Sequence, residues 1–88
     1  MKYIVHFRYK PDADRQEIGK LIPAEQAHVA ELHKDGTLEA VYVSKDVQQG
    51  WLVFATDDQT TVEQALQSLP LYPFWTTDSI AVNTPALS

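Results

Sequence analysis

The chain has 88 residues, 44% hydrophobic and 22% charged, with a net charge of −5, the balance of one globular domain over residues 1–88 with a modest core. Seven basic residues against twelve acidic ones, with no basic run, argue against a nucleic-acid partner, and the lack of cysteine excludes disulfides, thiol catalysis and thiolate metal sites. No apolar stretch approaches the ~20 residues of a membrane span, and "MKYIVHFRYK" is too interrupted for a signal peptide, so a cytoplasmic protein with no membrane partner is expected.

Lys2 to Tyr9 alternates, with Tyr3, Val5, Phe7 and Tyr9 on one side and Ile4, His6 and Arg8 on the other, which predicts a strand with one apolar and one mixed face. "PDAD" ends it, and Asp14 with Glu17 has the spacing of a capping pair. Ile18, Leu21, Ile22, Val29 and Leu32 then recur at helical period, and Gly36 lies just past the helix end. Pro23 inside this run predicts a kink, or a second helix that begins there. Strands are expected over Thr37 to Ser44 and Gly50 to Thr56, joined by a hairpin loop "KDVQQ". Thr60 and Glu63 have capping-box spacing ahead of a short helix through Val62, Ala65, Leu66 and Leu69. "SLPLYPFW" follows; its prolines cannot donate backbone hydrogen bonds and stop the helix, yet it carries much apolar surface. A fourth strand is expected over Thr77 to Asn83, and "TPALS" is a tail.

The order β-α-β-β-α-β is the split pattern of an α+β, ferredoxin-like domain, with a four-stranded antiparallel sheet and both helices on one face. The other face would carry large apolar side chains from several strands, more than a lone small domain should leave in water. A homodimer or higher homo-oligomer, packed sheet to sheet, is the expected cover.

Glu25 stands out among the polar residues. At about 100° of turn per residue it falls in the middle of the stripe of Ile18, Ile22, Val29 and Leu32, and Val29 and Leu32 share its side of Pro23. A carboxylate on a buried face has its charged form disfavoured, which raises its proton affinity towards that of a general base or acid working near neutrality. As the third residue of a helix begun at Pro23, it would instead be a solvent-side acid at the positive end of the dipole. His28, one turn further, falls on the edge of the stripe, where it either pairs with Glu25 in proton transfer or is a half-exposed surface residue. His33, on the other edge, has the weaker claim. His6 and Arg8, on the mixed strand face, would need a cavity or partners inside a sheet-to-sheet dimer; Arg8 suits a substrate carboxylate or a pairing with Glu39. Tyr42, Tyr72, Phe74 and Trp75 are core or interface by default. The prolines nevertheless stiffen their segment, so that Tyr72 and Trp75 form a candidate wall between the first helix and the sheet, facing Glu25, with Phe74 and Tyr42 as further candidate substrate contacts. No metal is expected: His28 and His33 are five apart and no HExxH occurs. There is likewise no Gly-rich phosphate loop and no nucleophile elbow.

"LPLYPFW" after a short helix, "AEQAHVAELHKDGTL" closing the first helix, and the element order together resemble muconolactone isomerase and its small relatives, from Lys2 to about Pro85. These belong to the dimeric α/β-barrel group, in which two ferredoxin-like protomers pack sheet to sheet. The resemblance implies a small-molecule pocket in each protomer and cofactor-free proton shuttling on an unsaturated lactone in aromatic catabolism. Small relatives with this fold also serve in specialised metabolism. The chain departs from the family in a shorter C-terminus and in His28, where an apolar residue is expected. Three readings follow: an isomerase using Glu25, with His28 as second proton carrier; a cofactor-independent monooxygenase or cyclase; and a non-catalytic small-molecule-binding oligomer.

Overall fold

Residues 2–86 are described by the computed structural model; Met1 and the last two tail residues, Leu87 and Ser88, lie outside it. The elements are β1 (Lys2–Tyr9), α1 (Arg15–Lys34), β2 (Leu38–Val43), β3 (Gln49–Phe54), α2 (Gln59–Ser68), a 3₁₀ turn (Tyr72–Phe74) and β4 (Trp75–Val82). The strands lie in the order β2-β3-β1-β4 with every neighbouring pair antiparallel.

Alternation along each strand decides what faces the helices. Val5 and Phe7 of β1, Leu52 and Phe54 of β3, Leu38 of β2 and Trp75 of β4 join Ile18 and Leu32 of α1 and Val62, Ala65 and Leu66 of α2 in one core. Both helices therefore cover the same face. Ile4, His6 and Arg8 alternate to the other side, alongside Trp51 and Val53 of β3, Tyr42 of β2 and Ile80 of β4. Tyr42 is 61% exposed and Ile80 62%, so this face presents apolar surface from several strands.

Helix α1 starts as the sequence predicts: Asp14 Oδ1 accepts from the N–H groups of Gln16 and Glu17 at 2.9 and 3.4 Å, which satisfies two of the donors left free at a helix start. It ends at Gly36, whose φ of +87° closes the turn without the steric cost a side chain would bring. Pro23 does not divide it; α1 is one helix of 20 residues. The proline removes one intrahelical donor, but it and the opposing Gly19 are both exposed, where water can take the released carbonyl. Helix α2 begins two residues earlier than its capping box suggests: Asp58, not Thr60, is the cap, accepting from Thr60 N–H at 3.0 Å and from Thr61 Oγ1 at 3.0 Å. The last strand also starts two residues early, at Trp75, because the 3₁₀ turn delivers the chain directly alongside Tyr9. Among the described residues, no helix is long and apolar enough to cross a membrane.

Candidate active site

A cavity of about 680 Å³ opens between α1 and the covered face of the sheet. Its floor is aromatic. Phe7 stacks on Trp75 with ring centroids 4.2 Å apart and planes at 25°, and the neighbouring strand makes room: Gly50 pairs with Phe7, and a Cβ there would lie 2.4 Å from the Phe7 ring. The Trp75 indole N–H is buried without an acceptor, a cost that the stack and its burial outweigh. Ile18, Ile22, Glu25 and Val29 of α1 form one wall, and Val41, Val43 and Val47 of the β2–β3 hairpin stand at the rim with Arg15 and His33. Val47 has a φ of 53°, an unfavourable region for a β-branched residue. The hairpin fixes it there, with Val47 N–H donating to Ser44 O at 2.9 Å and Ser44 Oγ to Asp46 Oδ1 at 2.6 Å.

Glu25 is 8% exposed, and its Oε1 accepts the Leu71 backbone N–H at 3.0 Å. The proline-rich segment makes this contact inevitable. Leu69 N–H donates to Leu66 O, Tyr72 N–H to Leu69 O and Phe74 N–H to Leu71 O, Trp75 N–H is taken by Tyr72 O, and Pro70 and Pro73 have no N–H to offer. Only Leu71 N–H is left over, and a buried amide without a partner is costly; Glu25 supplies it. Among the described residues none donates a hydrogen bond to Oε2, which is not fully buried, and Glu25 lines the cavity. Burial raises the carboxyl's pKa above its ordinary value of 4.5, against the smaller opposing effects of the Leu71 bond and the charge of His28.

The remaining predicted residues divide by position. Trp75 lines the cavity with Glu25. Tyr72 and Phe74 pack against the core from the 3₁₀ turn without lining the cavity. His28 is turned towards α2: its Nε2 lies 2.7 Å from Ser68 Oγ, and Ser68 Oγ donates to Ala65 O at 2.6 Å. The serine proton being committed, His28 Nε2–H is the donor, while its Nδ1 faces Glu31 Oε2 at 3.4 Å. His6, Arg8 and Tyr42 are on the open sheet face, away from the cavity. There His6 stacks on Trp51 at 5.2 Å and meets Gln49 Oε1 at 2.8 Å. Arg8 does not pair with Glu39, which Lys2 Nζ holds at 2.6 and 2.8 Å. Arg15, Phe7 and Gly50 were not singled out from sequence. Phe7 and Gly50 face each other through strand register, which has no local sequence signal, and Arg15 follows the cap at Asp14 onto the rim. Among the described residues, no group of three or more His, Cys, Asp or Glu side chains is placed to hold a metal ion.

The arrangement is an isolated carboxyl with elevated proton affinity and one free oxygen, at the side of an apolar, aromatic-floored cavity. Such a group can accept and return a proton at a carbon acid held against it. A family profile described as muconolactone delta-isomerase matches residues 1–85. Among solved structures, muconolactone isomerase is similar with a TM-score of 0.80 at 19% identity, over 100% of this chain and 94% of that one. A 5-chloro-2-hydroxyhydroquinone dehydrochlorinase from Burkholderia phenoliruptrix, in complex with 2,5-dihydroxybenzoquinone, is similar with a TM-score of 0.77 at 12% identity, over 97% and 96% of the two chains. At these identities the structural likeness establishes the fold. No curated protein sequence matches the chain.

Proposed function

Because the chain belongs to the muconolactone delta-isomerase family, we propose that it is a cofactor-free isomerase that moves a proton on a small unsaturated lactone or related carbonyl compound. The observation that carries this reading is Glu25, a carboxyl buried in the cavity wall with Oε1 tied to Leu71 and Oε2 free. The ionised carboxylate takes a proton from a carbon alpha or vinylogous to the carbonyl. The C–H electron pair passes into the enolate, and the carboxyl, whose proton can exchange with water, returns a proton at another carbon, so nothing is consumed. His28 acts beside this step rather than in it, since its ring is bound to Ser68 and stands outside the cavity. The protomer works as a homodimer or larger homo-oligomer, sheet against sheet, which would cover Tyr42, Trp51 and Ile80.

The Phe7–Trp75 floor also suits a flat quinoid ring, and the dehydrochlorinase with its bound benzoquinone favours a second reading: proton abstraction coupled to elimination, oxygenation or ring closure on such a ring. Both readings use the same base. The experiment is exchange of carbon-bound protons in D₂O, followed by NMR for panels of unsaturated lactones and of hydroxylated quinols, with wild type and Glu25→Gln. Glutamine still accepts from Leu71 but has no basicity. A fall of at least about 100-fold in exchange and turnover is expected on the true substrate; unchanged turnover in Glu25→Gln removes both readings.

A further inference from the structure

Glu25 and His28 stand one turn apart on α1, and both reach out of the helix to the same short stretch of chain. Glu25 Oε1 accepts from Leu71 N–H at 3.0 Å, and His28 Nε2 lies 2.7 Å from Ser68 Oγ as its donor. Ser68 and Leu71 are themselves three residues apart, one ending α2 and the other opening the 3₁₀ turn. Glu25 with Leu71 and His28 with Ser68 thus form two antiparallel ties. Among the described residues, no other hydrogen bond joins α1 to the chain from Gln59 to Trp75.

The link between Ser68 and Leu71 is stiff. Leu69 is extended, at φ −75° and ψ 130°, as suits the residue before a proline, and Pro70 has its own φ fixed by its ring. A displacement of Ser68 therefore carries through to Leu71, with few torsions to absorb it. Ser68 is anchored in turn by donating to Ala65 O at 2.6 Å, which leaves its oxygen to accept from His28. Electrostatics act in the same sense. Burial pushes Glu25 towards its neutral form, and what opposes burial is the Leu71 bond and the charge of His28. The imidazole bears on both, on one through Ser68 and on the other directly. The titratable groups that border the cavity with Glu25 are Arg15 and His33 of α1 and Tyr9 of β1. Beside His28 are Glu31, 3.4 Å away, and Asp35 at the helix end, while α2 presents the uncharged Ser68.

We infer that His28 is a positioning residue for the base: by holding Ser68 it fixes the proline segment so that Leu71 N–H fastens one oxygen of Glu25 and leaves the other unbonded. It acts on a carboxyl with which it shares no hydrogen bond. The catalytic meaning of this rests on Glu25 being the base, but the test needs no substrate, so the two ideas fail separately.

Heteronuclear NMR on the isotope-labelled full chain follows Leu71 amide exchange and the Glu25 carboxyl titration in wild type, His28→Leu, His28→Gln and Ser68→Ala. His28→Leu should speed Leu71 exchange about tenfold, the weight of one hydrogen bond, and move the Glu25 midpoint upwards. His28→Gln keeps an N–H for Ser68 but carries no charge. It should leave Leu71 protected and raise the midpoint by less than leucine does. Ser68→Ala keeps the imidazole and loses the tie, so Leu71 exchange should rise as in His28→Leu while the midpoint rises less. The His28 side chain is 30% exposed and Ser68 is exposed, so the variants should fold; the amides of Val5 and Leu52, in the sheet core, report any global loosening. A His28→Leu variant with Leu71 protection or Glu25 titration unchanged, or Leu71 exchange that rises only in step with Val5 and Leu52, overturns the inference. None of these outcomes touches the proton-exchange result with Glu25→Gln.

Discussion

At the scale of single residues, Glu25 holds two roles in tension. It completes the hydrogen bonding of Leu71, a structural service, and it does so from a site that disfavours its own charge. Its pKa is raised in the folded protein, so the fold binds this proton more tightly than the unfolded chain does. Its favourable contribution to stability is therefore fully present below the ordinary value of 4.5 and is lost as pH rises through the elevated one. Glu25→Gln, permanently neutral, should match wild type in thermal melts under acid conditions and exceed it near and above neutrality. Glu25→Ala should lose about 1–3 kcal/mol under acid conditions, because Leu71 N–H is then buried unpaired, and less as pH rises and wild type itself is destabilised. A wild type more stable than Glu25→Gln at neutral pH would show that the bond to Leu71 outweighs burial. Glu25 was legible in the sequence because helical phase alone puts it among Ile18, Ile22, Val29 and Leu32. His28 was not, since the group that captures it, Ser68, lies 40 residues away on another helix. The cavity-side position of Arg15 was equally hidden, because the groups beside it, the Tyr9 ring at the end of β1 and Gln48 in the β2–β3 hairpin, come from separate parts of the chain.

At the scale of elements, alternation and capping gave nearly every boundary, and the departures have local causes. Pro23 was expected to interrupt α1 but sits where solvent can accept the carbonyl it frees. Trp75 was expected in a loop wall, but a 3₁₀ turn places it as the first residue of β4, so the segment that covers the core also supplies the cavity floor. Register is what sequence patterns leave open, and Gly50 shows its weight: only pairing across β1 and β3 tells that the Phe7 ring occupies the place of its missing side chain. Gly50→Ala should push that ring from Trp75 and destabilise the protein by about 1–3 kcal/mol, as overpacking does. Denaturant melts read this directly, and an unchanged midpoint would mean that Phe7 moves aside freely.

At the scale of the whole molecule, the sheet has one face buried by two helices and one face that presents Tyr42, Trp51 and Ile80. Tyr42→Lys with Ile80→Lys alters side chains that are 61% and 62% exposed in the protomer, so the fold should keep its circular dichroism spectrum. Light scattering after size exclusion should then find a dimer or larger assembly for wild type and a monomer for the double variant; equal masses for the two would rule out sheet-to-sheet assembly. The architecture was readable because element order and two-residue periodicity leave few ways to fold so short a chain. The cavity was less so, because its volume arises from the spacing between α1 and the sheet.

The hairpin tip carries one more implication. A valine at a φ of 53° costs on the order of 1–3 kcal/mol relative to relaxed backbone, and the hydrogen bonds of the turn itself, Val47 N–H to Ser44 O and Gln48 N–H to Asp46 Oδ1 among them, oppose its relaxation. The strained tip stands on the cavity's border through Val47. Traffic between bulk water and the interior should pass beneath the tip rather than around the prolines, with the speed of a loosening turn setting how fast a guest can leave.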